Sequence, residues 1–292
     1  MESAVIITTK DRVEFLVRAV NSVFSQSLLP EELIVIDDNS DKELPQNILS
    51  AFQQSALQKG VAFTYIYNSE PKGGNYSRNL GVRSSSSELI HFLDDDDLWL
   101  KDKVKEQVKI FTENTRIGLV YTGKQFVNSA NLDRVIRKSK NSNRENSIWK
   151  GNYIGSTSGV ALKRAIFEKV DGFDPLLKSM QDFDLWVRVL KVSDALWDCQ
   201  HNLVYTVHAS NNKQITSNVD KHKDTIAYLR EKYREEINSL PKDVQKVYLS
   251  RLEHVIARAY RTQGSFKFIK YALKSLQLHF SLRTLALFLN IK

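Results

Sequence analysis

Four consecutive carboxylates, Asp94 to Asp97, lie between the apolar run Leu89–Leu93 and Leu98-Trp99. Adjacent carboxylates repel one another, so a crowded or buried set requires a compensating cation. A hard divalent ion held by carboxylate oxygens and substrate phosphates supplies that charge, and Mg2+ or Mn2+ suits such ligands. The competing account is a solvated acidic loop, and anchorage between two core segments argues against it. A second acidic pair, Asp37-Asp38, closes the run Leu33–Ile36 and precedes Asn39-Ser40. A carboxylate there can accept a uracil N3–H or a ribose hydroxyl, although Asp and Asn equally suit a plain strand-to-turn transition. In Lys72-Gly73-Gly74-Asn75-Tyr76-Ser77-Arg78-Asn79, Arg78 can pair with phosphate or a base carbonyl in fork geometry. The glycines match neither a dinucleotide fingerprint nor a phosphate-binding loop ending in Lys-Ser/Thr. A glycine turn before a capped helix reads the same way.

The elements that must position these groups alternate along the first 120 residues. Val5–Thr8 is a β-branched apolar run, and Arg12–Gln26 follows with Leu16, Ala19, Val20, Val23 and Phe24 at helical spacing. Leu33–Ile36, Phe63–Tyr67 and Leu89–Leu93 read as further strands. Glu43–Gln58 and Tyr76–Arg83 read as helices, the second capped by Asn75. Strands separated by helices predict an α/β fold, a mostly parallel central sheet with helices on both faces. The polar clusters after Thr8, Asp37 and Leu93 then line one sheet edge, where ligands of open parallel sheets bind. Beyond Val120 the pattern loosens. Arg137–Asn146 reads as a surface loop, Gly151–Ala161 as turn and short strand, Phe183–Leu190 as helix and Leu203–Val207 as strand. From Asp220 onward the chain reads as helical, with Pro241 placed to start a helix.

Taken in order, TTKDR, LVRAVNSVFSQS, ELIVIDDNSD, GGNYSRNLGV and IHFLDDDDLW resemble the family 2 glycosyltransferases with the GT-A fold, of the bacterial polysaccharide or O-antigen type. The likeness runs from about Ala4 to about Thr216. It implies a GT-A catalytic domain over residues 1–219, with a nucleotide-binding half (1–120) and an acceptor-binding half (121–219). Residues 220–292 are expected to form a basic helical C-terminal extension. The resemblance implies that Thr8, Lys10 and Asp38 contact the nucleoside of a UDP-sugar, with Arg78 nearby. Asp94 and Asp96 match the ends of the family's DXD motif. The donor set expected is thus Thr8, Lys10, Asp38, Arg78, Asp94 and Asp95, with Asp96, Asp97 and His208 on Mn2+ or Mg2+; the register within the four aspartates stays open.

Gly172-Phe173-Asp174 and Gln181-Asp182-Phe183-Asp184-Leu185-Trp186 look like the family's GFD and EDxDLW segments, which maps the catalytic base onto Asp182. Gln181 departs from the usual glutamate and removes a charge that would raise its neighbour's pKa. Asp184 is a rival base, and a helix N-terminal acid favoured by the helix dipole is the plain account of Asp182. Tyr205-Thr206-Val207-His208 and Asn211–Gln214 are similar to the family's late histidine and the loop that closes over the donor. The implied reaction is inverting transfer to an acceptor sugar hydroxyl on a polyprenyl-diphosphate-linked glycan in O-antigen or capsule synthesis. A sugar nucleotidyltransferase is the enzymatic alternative; it would want a glycine-rich N-terminal loop, and Ile6–Arg12 has no glycine. A non-catalytic nucleotide-sugar-binding module is the other.

The chain has 292 residues, 42% hydrophobic and 26% charged, an ordinary globular composition. Cys199 is the single cysteine and cannot form an internal disulfide. The N-terminus enters strand-like sequence at once, so no cleaved leader is expected. No run of roughly eighteen apolar residues predicts a membrane span, and the expected location is cytoplasmic. Of 42 Lys+Arg and 34 Asp+Glu, residues 220–292 hold 15 and 7, so the whole net charge of +8 belongs to this segment. There Phe266, Ile269, Leu273, Leu276 and Phe280 recur on one helical face beside Lys267, Lys270 and Lys274. Such a helix either packs on the catalytic domain or lies at an anionic membrane surface as a peripheral contact. No recognised nucleic-acid motif accompanies the charge.

Overall fold

The computed structural model describes residues 1–140, 147–208 and 218–289. Its contacts divide into two compact units, the first formed by Met1–Asn143, Ile154–Pro175 and Asp182–Ala209 and the second by Arg144–Tyr153, Leu176–Gln181 and Ser210–Lys292. The chain runs through β1 (Ser3–Thr9), α1 (Val13–Phe24), β2 (Glu32–Asp37), α2 (Gln46–Lys59), β3 (Ala62–Tyr67), α3 (Gly74–Arg83) and β4 (Leu89–Asp94). It continues through β5 (Leu98–Trp99), α4 (Lys103–Glu113), β6 (Ile117–Tyr121), β7 (Lys124–Asn128), β8 (Asn131–Lys138), β9 (Val160–Lys163), α5 (Arg164–Lys169), α6 (Gln181–Leu190), β10 (Asp194–Trp197) and β11 (Leu203–Val207).

Seven strands form the central sheet in the order β10-β6-β9-β4-β1-β2-β3, and β9 alone runs antiparallel to its neighbours β4 and β6. Alternate side chains of each strand serve opposite layers. Val5 and Ile7 of β1, with Leu33 and Val35 of β2, pack against Leu16, Ala19 and Val20 of α1 and Phe52 and Ala56 of α2. Each such fully buried aliphatic side chain contributes about 1.5–3 kcal/mol. On the opposite face Ile6 meets α3, so closely that a Cβ on Gly81 would stand 2.4 Å from it. Phe92 of β4 packs there on Phe167 and Phe173.

Strand register fixes the polar edge. Thr8 pairs with Asp94 of β4, and Thr9 pairs with Asp37 of β2, so the clusters read separately from the sequence stand level. A second sheet, β5-β11-β7-β8, extends the first unit. Here β5 follows the aspartate run and pairs antiparallel with β11, which brings His208 toward it.

Three local expectations are corrected. Asn75 does not cap α3; that helix opens at Gly74 after Gly73 at φ 88, and the Asn75 amide instead donates to the Asp174 carbonyl at 2.8 Å. Arg137 and Lys138 belong to β8, because pairing with β7 overrides their polarity; residues 141–146 of the expected loop lie outside the described residues. Pro45 delays α2 to Gln46, because its fixed φ suits the position before a helix.

The second unit is helical: α7 (Val219–Lys232), α8 (Arg234–Ser239), α9 (Lys242–Thr262), α10 (Phe268–Leu278) and α11 (Leu282–Leu285). Trp149 packs edge-on against Tyr233 and Tyr248, with centroids 5.5 and 4.9 Å away. Small residues let α10 approach α9, where the Ser250 and Ser275 hydroxyls are 3.0 Å apart beside buried Ala272.

Buried His254 of α9 pairs through Nδ1 with the Thr284 hydroxyl at 3.0 Å. Burial, then repulsion from Arg283, Arg258 and Arg251, lowers its pKa from 6.5 to about 4. Between those values the unfolded chain binds the proton that the folded chain refuses, so stability falls as pH drops through that window. The loss attributable to His254 should reach about 3 kcal/mol. His254→Gln should flatten the difference between urea denaturation curves recorded at neutral pH and near the lower value; an unchanged difference would place the acid sensitivity elsewhere.

Candidate functional site

The site is built at the C-terminal ends of β1, β2 and β4. β4 ends at Asp94 and the run turns there, the Asp97 N–H donating to the Asp94 carbonyl at 3.0 Å; Asp95 and Asp97 are buried (0% and 1% exposed) while Asp94 and Asp96 are half-buried. Each carboxylate has its own compensation. Asp94 Oδ1 accepts from Arg78 Nη2 at 2.5 Å, and Oδ2 accepts from the Thr157 hydroxyl at 3.3 Å. Burial pushes the Asp94 pKa up, but the Arg78 guanidinium outweighs it and holds the carboxyl below its usual range. Asp95 takes the Thr9 hydroxyl at 2.7 Å and Arg12 Nη2 at 2.6 Å; burial nonetheless pushes it up to about 7. Asp97 Oδ1 accepts the Thr206 N–H at 3.0 Å. Burial raises Asp97 well above the ordinary range, with Asp96 and Asp94 adding to the rise.

Asp96 is the point where Arg12 and His208 converge. Its Oδ2 lies 2.8 Å from Arg12 Nη1 and 2.9 Å from His208 Nε2. The imidazole is steadied edge-on by Phe15 at 5.3 Å. A carboxylate oxygen beside an imidazole nitrogen is a donor set that Mn2+ accepts. Among the described residues no three His, Cys, Asp or Glu side chains gather as a metal-binding group. Asp96 and His208 would therefore hold an ion only together with ligand oxygens, as divalent ions on phosphates commonly are.

Asp38 is buried and spends both oxygens on the glycine loop. Oδ1 accepts the Lys72 N–H at 2.9 Å, and Oδ2 accepts the Gly73 N–H at 2.8 Å. Lys10, exposed, donates to the Asp38 carbonyl at 3.2 Å; Thr8 is half-buried beside Asp94 in the sheet. Past that loop, α3 carries Arg78 over Gly74, where a Cβ would approach Nη1 to 3.1 Å. The same helix is bound to the Gly172-Phe173-Asp174 turn: Asn79 accepts the Phe173 N–H at 2.9 Å and donates to its carbonyl at 2.8 Å. Gly172 has φ 62, and a Cβ there would stand 2.7 Å from Asn79 Oδ1, so only glycine passes this corner.

Asp182 lies in the first turn of α6, half-buried, with Oδ1 accepting the Phe183 N–H at 2.8 Å. Burial raises its pKa; the Phe183 N–H and Lys124 pull it down, and Asp94 pushes it up. Asp184 is fully buried in an ion pair with Arg188 at 2.6 Å. Asn211–Gln214 lie outside the described residues.

Sequence reasoning assigned no role to Arg12, which bridges Asp95 and Asp96, and its place directly after Lys10-Asp11 was the available signal. It also missed Lys103, fully buried under the aspartate strand, 3.0 Å from His91 Nδ1 and 3.7 Å from the Trp99 ring centroid. Burial lowers the Lys103 pKa well below that of an ordinary lysine. Lys124 Nζ, 4.8 Å from the Tyr205 ring, had no local signal.

A parallel sheet with helices on both faces, carrying an aspartate run, an arginine and a histidine at its C-terminal edge, defines the GT-A glycosyltransferase architecture. The model of glycosyl transferase family 2 matches residues 4–171, and the chain belongs to that family. An uncharacterized glycosyltransferase of Haemophilus influenzae is 23% identical over 261 residues, spanning 87% of this chain and 84% of that protein. Among solved structures, residues 1–349 of S. aureus TarS share the fold with a TM-score of 0.61 at 17% identity, covering 99% of this chain and 78% of that one. The mannosyltransferase PcManGT of Pyrobaculum calidifontis, solved with GDP-Man and Mn2+, gives 0.58 at 14% identity, covering 100% and 88%.

Removing Arg78 leaves Asp94 without its cation. Arg78→Met should cost about 1–3 kcal/mol. The double variant Arg78→Met/Asp94→Asn should be more stable than the sum of the single losses predicts, by about 1–2 kcal/mol. Urea denaturation of the four proteins measures that coupling, and strict additivity would mean that the pair does not interact.

Proposed function

We propose that the protein is an inverting glycosyltransferase that moves a sugar from a UDP-sugar to an acceptor glycan hydroxyl, with Asp182 as the base. The observation that carries this reading is that Asp182 stands within the field of Asp94, Arg78 and Lys124. Burial, with Asp94 adding to it, raises the pKa of this carboxyl against the pull of the Phe183 N–H, Lys124 and Arg78. TarS is solved with UDP and with UDP-GlcNAc, and PcManGT with GDP-Man and Mn2+, which supports a nucleoside-diphosphate-sugar donor.

Thr8, Lys10, Asp38, Arg78 and Asp94 form the donor side within residues 1–120, and 121–219 supply the acceptor side; Asp95, expected among the donor contacts, is fully buried beneath them and bound to Thr9 and Arg12. Asp182 takes the proton of the acceptor hydroxyl while that oxygen bonds to the anomeric carbon. The bond from that carbon to the diphosphate breaks on the opposite face, and its electron pair leaves with UDP. Inversion follows from this in-line geometry. A divalent ion, Mn2+ or Mg2+, at Asp96 and His208 would neutralise the charge of the departing diphosphate. Asp97, buried behind that corner, ties it to β11 by accepting the Thr206 N–H on Oδ1. The acceptor is a sugar on a polyprenyl diphosphate, in O-antigen or capsule assembly. The protein works from the cytoplasm at the inner membrane face; among its described residues no helix is long and apolar enough to cross a membrane.

UDP release from a panel of UDP-sugars, measured with glycolipid acceptors and with Mn2+ or a chelator, tests the reading. Release should require the metal and fall by about 10²–10⁴-fold in Asp182→Asn, with UDP affinity unchanged. Turnover that survived in Asp182→Asn would move the base elsewhere, and no metal-dependent release from any donor would sink the transferase reading.

A further inference from the structure

The apolar stripe of α10 is on the outside. Helix α10 turns Phe268, Ala272 and Ser275 inward onto α9, while Ile269 and Leu273 on the neighbouring sector are 38% and 50% exposed, and Phe266, in the turn before the helix, is 82% exposed. Phe280, after the helix, is 64% exposed, and Leu282, the first residue of α11, 74%. Single exposed apolar residues are ordinary, but a run of large ones along one stripe is not. Lys267, Lys270 and Lys274 occupy a third sector and are solvent-exposed. Lys274 is met by Glu253 at 2.6 Å, and beyond Glu253 the chain holds seven Lys and Arg and no Asp or Glu.

Where α10 ends, Leu278 and His279 form part of an open groove of about 520 Å³ that is also lined by Lys150, Lys242, Lys246 and Asp243. One of these lysines, Lys150, is paired with Asp243 at 3.0 Å. The groove has room for a phosphate headgroup and the charge to attract one.

We propose that this helical unit docks on an anionic lipid surface, the stripe Phe266–Ile269–Leu273–Phe280–Leu282 entering the headgroup boundary and the basic side chains meeting lipid phosphates. An apolar row bordered by lysines is the chemistry of an interfacial helix. A second copy fits the face poorly, because copy-to-copy pairing would set basic segments without acidic residues against each other. The proposal deepens the reading of a lipid-borne acceptor and rests on it for its purpose, while the binding itself is measurable without turnover.

The test is sedimentation of the full chain with vesicles of phosphatidylcholine alone and with about a third phosphatidylglycerol. Binding should be confined to the anionic vesicles and weaken with salt. It should fall about five-fold for each lysine removed in Lys267→Ala and Lys270→Ala, and fall further in Leu273→Ser/Phe280→Ser, with melting temperature and UDP affinity unchanged. Equal pelleting with neutral vesicles, or none with either, overturns the proposal. So does a dimer that Leu273→Ser/Phe280→Ser converts to monomer while the parent ignores vesicles. A protein that releases UDP but ignores vesicles overturns docking alone; one that binds vesicles but releases no UDP overturns the transferase reading alone.

Discussion

The ion pairs that Arg12 and Arg78 make with Asp94, Asp95 and Asp96 hold a run of four adjacent carboxyl groups at the end of one strand. The two arginines come from opposite layers, Arg12 at the start of α1 and Arg78 within α3. The sheet edge therefore closes only when both helices are seated. Removing four carboxylates from water without such partners would cost several kcal/mol for each ion. The turn in the run divides the load: Asp95 and Asp97 are tied inward by Thr9, Arg12 and the Thr206 N–H. Asp94 and Asp96 are left half-buried with their cations. The fold thus converts a repulsive string into two half-buried acids on a fixed base.

Helix α3 transmits that order across the first unit. Its first turn is shaped by Asp38 through the Lys72 and Gly73 N–H groups, its middle delivers Arg78, and its asparagines hold the Phe173 turn. A shift of α3 would loosen the glycine loop, the Asp94 pair and the approach to α6 together. The motifs around Asp38, Gly73 and Gly172 look independent in sequence, and the hydrogen bonds of Asn75 and Asn79 join them into one support.

The strands and α1 were legible because their burial is one-sided and periodic. Leu16, Ala19, Val20, Val23 and Phe24, picked out by spacing, are the residues α1 buries. The polar edge was legible for the same reason, since strand ends fix where Thr8, Asp37 and Asp94 fall. What sequence could not give was any partner brought from a distance. Lys103 lies under His91 only because α4 folds back beneath β4, and His208 meets Asp96 only because β11 pairs with β5. Periodicity also identifies an apolar stripe without saying which way it faces. In α10 the inward sector went to Phe268, Ala272 and Ser275, because small residues let α10 approach the Ser250 side of α9.

Replacement of the usual glutamate by Gln181 removes a negative neighbour that would raise the pKa of Asp182. Burial supplies the same rise here, and Asp94 adds to it. The two routes differ in what opposes them. A neighbouring carboxylate is itself screened or protonated, whereas burial persists for as long as α6 stays seated through Phe183, Leu185 and Trp186. The Phe183 N–H and Lys124 work the other way, drawing the carboxyl down toward the ionised form that a base requires. Asp184, fully buried against Arg188, fixes the helix instead of competing for the proton. In the proposed mechanism the proton-accepting power of Asp182 is therefore set by how deeply the helix start is packed, and a missing glutamate at the preceding position need not silence it.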